Sequence, residues 1–107
     1  MRLRRRGPFD ELVERQLSLF ADDDADLLQE AEDAEAAWDG AGRETAEEAY
    51  GDYQLVVDAI ADRLLDLRAS YAATLDPDTA DAYRAAFAAG AARQFRRYAS
   101  LVADLAD

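Results

Sequence analysis

The chain has 107 residues, half of them hydrophobic, and carries 24 acidic against 12 basic side chains for a net charge of −12. That length supports one domain with its own core and leaves no room for two. Cysteine and histidine are both absent, which excludes disulfides, thiolate zinc sites, cysteine nucleophiles and the commonest general base and metal ligand together.

Every basic residue is an arginine, and the charge is unevenly spread. Residues 1–6 hold Arg2, Arg4, Arg5 and Arg6 with no acid, whereas residues 9–39 hold twelve acids against the single Arg15. A surface this acidic repels phosphate, so broad nucleic-acid binding is disfavoured and a basic protein is the natural partner. An Asp-rich, Ala-rich, Lys-free composition is also what a GC-rich or salt-adapted host produces. The longest apolar run, residues 85–92, is eight residues of mostly alanine and glycine around one phenylalanine, far short of a membrane span. MRLRRRGPF begins like a signal peptide, but DELVER follows where an apolar segment would stand. A cytoplasmic location is therefore expected, without membrane contact.

The basic arm, residues 1–8, closes at Gly7-Pro8. From there apolar or small residues recur at Phe9, Val13, Leu17, Phe20, Leu27, Ala31, Ala34 and Trp38. Steps of three and four predict a helix over 9–39. Asp24 interrupts this seam inside Asp22-Asp23-Asp24, so the segment is read as one helix bent there, with two helices meeting near residue 22 as the alternative. Its outer face carries Asp22, Asp23, Asp24, Asp26, Glu30, Glu32, Asp33 and Glu35, either a solvated face or a docking surface for a basic protein, with Asp22, Asp23, Asp26, Glu30 and Asp33 as the candidate contact residues. The DDDAD run lacks the glycine and the closing glutamate of an EF-hand loop, and it sits in helical periodicity, so calcium is not expected.

Gly40 and Gly42 can close that helix in a positive-φ conformation. Thr45-Ala46-Glu47-Glu48 has the spacing of a capping box. The second seam, over 44–75, is Ala49, Tyr53, Val56, Ile60, Leu64, Leu67, Tyr71 and Leu75. Asp76-Pro77 stops one helix and starts the next, Asp76 as cap and Pro77 in the first turn. The third seam, over 77–105, is Ala80, Tyr83, Phe87, Gly90, Gln94, Tyr98, Leu101 and Leu105. No stretch alternates with period two. The expected fold is all-α: one domain over 9–107, an elongated up-down-up three-helix bundle about 45 Å long at a rise of ~1.5 Å per residue. The alanines of the third helix bury little apolar area each, so self-association or a partner helix along that face would add burial.

The third helix is acid-free from Ala82 to Ala103 and carries Arg84, Arg93, Arg96 and Arg97. In an up-down-up bundle the first and third helices are parallel. Arg93 and Arg97 then stand level with roughly residues 25 to 29 and should pair with the acids of that neighbourhood, Asp22, Asp26, Glu30 and Asp33, worth at most about 1 kcal/mol per exposed pair. The N-terminal arm either folds toward Leu75, Asp76, Asp78 and Asp81 or reaches an acidic protein or RNA.

Nothing in the chain assembles catalytic chemistry. Glu44 with Glu48 and Asp62 with Asp66 sit one helical turn apart, but di-iron bundles need Glu-x-x-His. Ser18, Ser70 and Ser100 have no base nearby, and there is no phosphate-binding glycine loop. No cofactor, metal or catalytic residue is expected.

The stretch AAWDGAGRETAEEAYGDY resembles the turn of the WXG100 family, small secreted helical hairpins with Trp-x-Gly between their helices. The resemblance rests on Trp38-Asp39-Gly40, about fifteen residues, and implies a secreted helical protein. That family is a two-helix hairpin, whereas a third helix follows Asp76-Pro77 here. None of the five tyrosines has an acid four residues on, the family's export signature. The plainer account is that Trp38 ends an apolar stripe and Gly40 lets the chain turn. The sequence thus points to an acidic helical interaction or scaffold module, the secreted hairpin and an Arg-arm nucleic-acid binder standing as alternatives.

Overall fold

A computed structural model describes residues 7–98, and the arm residues Arg2, Arg4, Arg5 and Arg6 lie outside them. The fold is all-helical: α1 Asp10–Asp23, α2 Ala25–Asp39, α3 Ala46–Ala72 and α4 Pro77–Gln94, with no strand among the described residues. The expected three helices are thus four, because the first segment is not one helix bent at Asp24 but two helices meeting there, the alternative reading, with the junction two residues beyond residue 22. Asp24 has φ −109° and ψ 31°, and its side chain meets Arg63 of α3 at 3.0 Å. A helix continued through this point would carry a carboxylate on the core seam, where burial without full pairing is costly. Three consecutive aspartates, poor helix formers, also stand at the negative end of the α1 dipole.

Ring contacts fix the topology. Phe9 meets Tyr83 at 5.6 Å and Phe20 meets Phe95 at 6.0 Å, so α1 and α4 run parallel. Trp38 lies on Tyr50 and Tyr53 while Asp24 reaches Arg63, so α2 runs antiparallel to α3. Tyr71 packs on Tyr83 and Tyr53 on Tyr98, making α3 and α4 antiparallel. One core threads all four helices: Val13, Leu17 and Phe20 of α1, Ala31 of α2, Tyr53, Val57, Ile60, Ala61 and Leu64 of α3, and Tyr83, Phe87 and Ala91 of α4. Gly90 is buried where α4 crosses α1. A β-carbon there would lie 2.7 Å from Val13 Cγ1 and 3.3 Å from Leu17 Cδ1, so this crossing is as close as only a glycine permits.

Helix ends differ from the expectations in instructive ways. Asp76 caps α4 as expected: extended at φ −67° and ψ 159°, it accepts the Thr79 backbone N–H at 3.2 Å and the Thr79 hydroxyl at 2.5 Å. Thr45 forms no capping box. Its backbone is already helical at φ −112° and ψ −5°, where a cap would be extended, and its hydroxyl instead donates to the Gly42 carbonyl at 3.4 Å. Gly40 closes α2 at φ −89°, and no glycine among the described residues takes a positive φ. α3 ends at Ala72 rather than residue 75. α4 ends at Gln94 rather than residue 105, and Leu101 and Leu105 lie outside the described residues. The turn at Phe95 brings Phe95 and Tyr98 into the core, so Phe95 takes the seam place expected of Gln94, which is exposed.

Candidate functional site

No side chain in the core is charged, and no buried side-chain nitrogen or oxygen among the described residues lacks a hydrogen-bond partner. The Tyr83 hydroxyl, for example, donates to Gln16 Oε1 at 2.8 Å. Groups of three or more acids placed to hold a metal are absent among the described residues, and no helix among them is long and apolar enough to cross a membrane. What the surface offers is acid carried on helices, with two clefts beside it.

The break at Asp24 splits the expected acidic face in two. Asp22 and Asp23 end α1, whereas Asp26, Glu30 and Asp33 belong to α2; all five are exposed. Asp26 lies in the first turn of α2, where the helix dipole favours it, while Asp22 and Asp23 sit at a helix C-terminus, where it does not. Asp33 accepts from Gln29 Nε2 at 3.1 Å. Among the described residues, Asp22, Asp23, Asp26 and Glu30 take part in no ion pair.

The arginines settle elsewhere than expected. Arg97 binds Glu32 at 3.3 Å and also Glu35, both on α2 and one to two turns beyond the expected register. Its guanidinium carbon lies 5.4 Å from the Tyr98 ring centre. Arg63 takes Asp24, and Arg84 takes Asp81 within its own helix at 2.9 Å. The acids in these pairs are Asp24, Glu32, Glu35 and Asp81, the first three of them from the expected acidic face.

The first cleft, about 400 Å³, opens between α1 and α3 and is lined by Leu19, Phe20 and Leu67 with Asp23, Asp24, Asp66 and Arg63. The second, about 480 Å³, runs between α2 and α3. Ala34, Ala37, Ala49, Leu55 and Val56 line it together with Glu30, Asp33 and Asp52, with no basic residue among them. Asp23 thus joins the first cleft, Glu30 and Asp33 join the second, and Asp22 and Asp26 join neither. Sequence reasoning missed Leu55 and Asp52. Leu55 is a large apolar residue off the α3 seam, beside Val56, and it is 70% exposed; that mismatch was its only available signal.

Trp38 is explained by packing. It lies 4.8 Å from Tyr50 and stacks on Tyr53 at 5.4 Å, clasping α2 to α3 across the turn. No family model, curated protein or solved structure matches the chain.

Proposed function

We propose that this chain is a non-catalytic, acidic helical module that binds a basic protein in the cytoplasm. The observation that carries the reading is the exposed acid at the α1–α2 break and along α2, where Asp22, Asp23, Asp26 and Glu30 have no ion-pair partner among the described residues. Concentrating like charge on one side destabilises the free protein and favours a cationic partner, whose approach it also accelerates. In this reading α1 and α2 act together as the first arm of an up-down-up bundle, and Arg97, just past α4, pairs with that arm.

Affinity capture from native-host lysate tests the proposal, comparing the wild-type chain with one in which Asp22, Asp23, Asp26, Glu30 and Asp33 are changed to their amides. The expected result is a stoichiometric basic partner, released near 0.5 M salt, where the Debye length falls well below 10 Å, and lost on neutralisation. Partners retained in full by the neutralised chain would overturn it.

A further inference from the structure

We infer that the furrow between α2 and α3 is the seat of a basic amphipathic helix from the partner protein. This rests on the function proposed above and names the partner's form and its place of contact.

The furrow is built from helical stripes. On α2 it uses Glu30, Asp33, Ala34 and Ala37, spaced three, four and seven residues from the first. On α3 it uses Ala49, Asp52 and Val56, with Leu55 beside them. Each stripe covers about two turns, roughly 11 Å at 1.5 Å per residue. The opposite side of the same pair is already occupied: Ala31, Tyr53 and Val57 are buried, Tyr98 lies on Tyr53, and Arg97 from the end of α4 grips Glu32 and Glu35. α2 and α3 therefore present a cleft of about 480 Å³ on a side away from these contacts.

Its chemistry selects the occupant. Its apolar lining is alanine and valine, small enough for a helix to approach closely, with Leu55, 70% exposed, as an apolar anchor. Helix-in-groove recognition uses such a lining, and long cationic side chains lay their methylenes on it while their heads reach nearby acids. The acids here are Glu30, Asp33 and Asp52, none of them in an ion pair among the described residues. The α1–α3 cleft differs, because Arg63 already occupies its acidic wall. A second copy offering its own α2–α3 face would bring acid against acid, so the occupant is a different chain carrying arginine or lysine along both flanks of an apolar stripe.

The probe is a synthetic 18-residue helix with leucine and alanine on one face and arginine on both flanks. It is titrated into the isotope-labelled full chain and followed by amide chemical shifts. Shifts centred on Ala34, Ala37, Ala49, Leu55 and Val56 are expected, with affinity falling about ten-fold or more for Leu55→Asp and for Glu30→Gln/Asp33→Asn/Asp52→Asn. Leu55 is largely solvent-exposed, so helical circular dichroism and Trp38 fluorescence should stay unchanged in that variant. Neutralising Asp22, Asp23 and Asp26 instead should cost several-fold less. Equal losses from the two neutralised sets, or no loss with Leu55→Asp, would overturn the furrow while leaving the acidic-module reading intact. The same holds for an absence of shifts at millimolar peptide, since the lysate capture decides that reading separately. Sedimentation showing a dimer of the free chain that Leu55→Asp dissolves would also overturn it, in favour of a second copy.

Discussion

Val13 of α1 and Gly90 of α4 approach so closely that a β-carbon at residue 90 would stand 2.7 Å from Val13 Cγ1. Both residues are buried, and a β-branched side chain in a helix has essentially one rotamer, so Val13 cannot swing aside. Gly90→Ala would gain about 1 kcal/mol of helix propensity but incur an overpacking penalty of about 1–3 kcal/mol. A net loss near 1 kcal/mol is expected by urea denaturation. Val13→Ala combined with Gly90→Ala should be less destabilised than the sum of the two single changes. Strict additivity would mean that the close crossing is not where the strain falls.

The pair of Asp24 and Arg63, 3.0 Å apart, ties the α1–α2 break to α3, yet the Arg63 side chain is 61% exposed. Solvent screening then limits its worth to less than about 1 kcal/mol. A double-mutant cycle with Asp24→Asn and Arg63→Gln should give a coupling below that bound, shrinking further in high salt. A salt-insensitive coupling above 2 kcal/mol would show the pair to be far better shielded than its exposure implies.

How far the fold is legible in the sequence depends on whether local chemistry or tertiary contact decides each feature. Asp76-Pro77 is local: the cap, the fixed proline φ and Thr79 are adjacent, and the structure has them as expected. The seams of α1 and α3 are equally plain, because Val13, Leu17, Ile60 and Leu64 recur at helical spacing and are buried. The end of α4 is not local. Phe95 replaces Gln94 in the core because the chain turns to bring Phe95 onto Phe20 and Tyr98 onto Tyr53, contacts with partners far away in sequence. Thr45 misled for a related reason, since the capping box needs an extended backbone that the Gly42–Ala46 turn does not supply. Of the candidate site, the acid was visible in the sequence. The furrow was not, because it exists only once α2 and α3 lie side by side.

Tyr53, Tyr83 and Tyr98 have phenol pKa values raised above the ordinary 10.0, burial being the largest cause in each. The neutral phenol is favoured in the folded chain, so above pH 10 the folded state binds more protons than the unfolded one. The resulting stabilisation is complete below pH 10 and is lost as pH rises through the folded-state values. Absorbance at 295 nm should therefore show part of the tyrosine ionising above the ordinary range, together with falling stability there. Tyr83→Phe removes the bond to Gln16 and should cost about 1 kcal/mol at neutral pH while reducing the alkaline loss. An unchanged alkaline limb in that variant would rule out Tyr83 as a contributor.

At the acid end the group to watch is Asp76, whose carboxylate is held below its ordinary value of 3.8, first by the Thr79 hydroxyl and then by the Thr79 backbone N–H. A depressed carboxylate stabilises the fold at pH values above its unfolded pKa and loses that contribution as pH falls through the lower folded value. Asp76→Asn keeps a side-chain oxygen for capping but removes the charge beside the α4 N-terminus. Thermal melts should then show a slightly lower Tm for the variant at pH 7, and the two proteins should converge as the pH drops below 3.8. Asp76→Ala, which removes the acceptor altogether, should melt lower than Asp76→Asn at neutral pH. A Tm gap between wild type and Asp76→Asn that is the same at pH 7 and well below pH 3.8 would mean that the charge at residue 76 does not act through the cap.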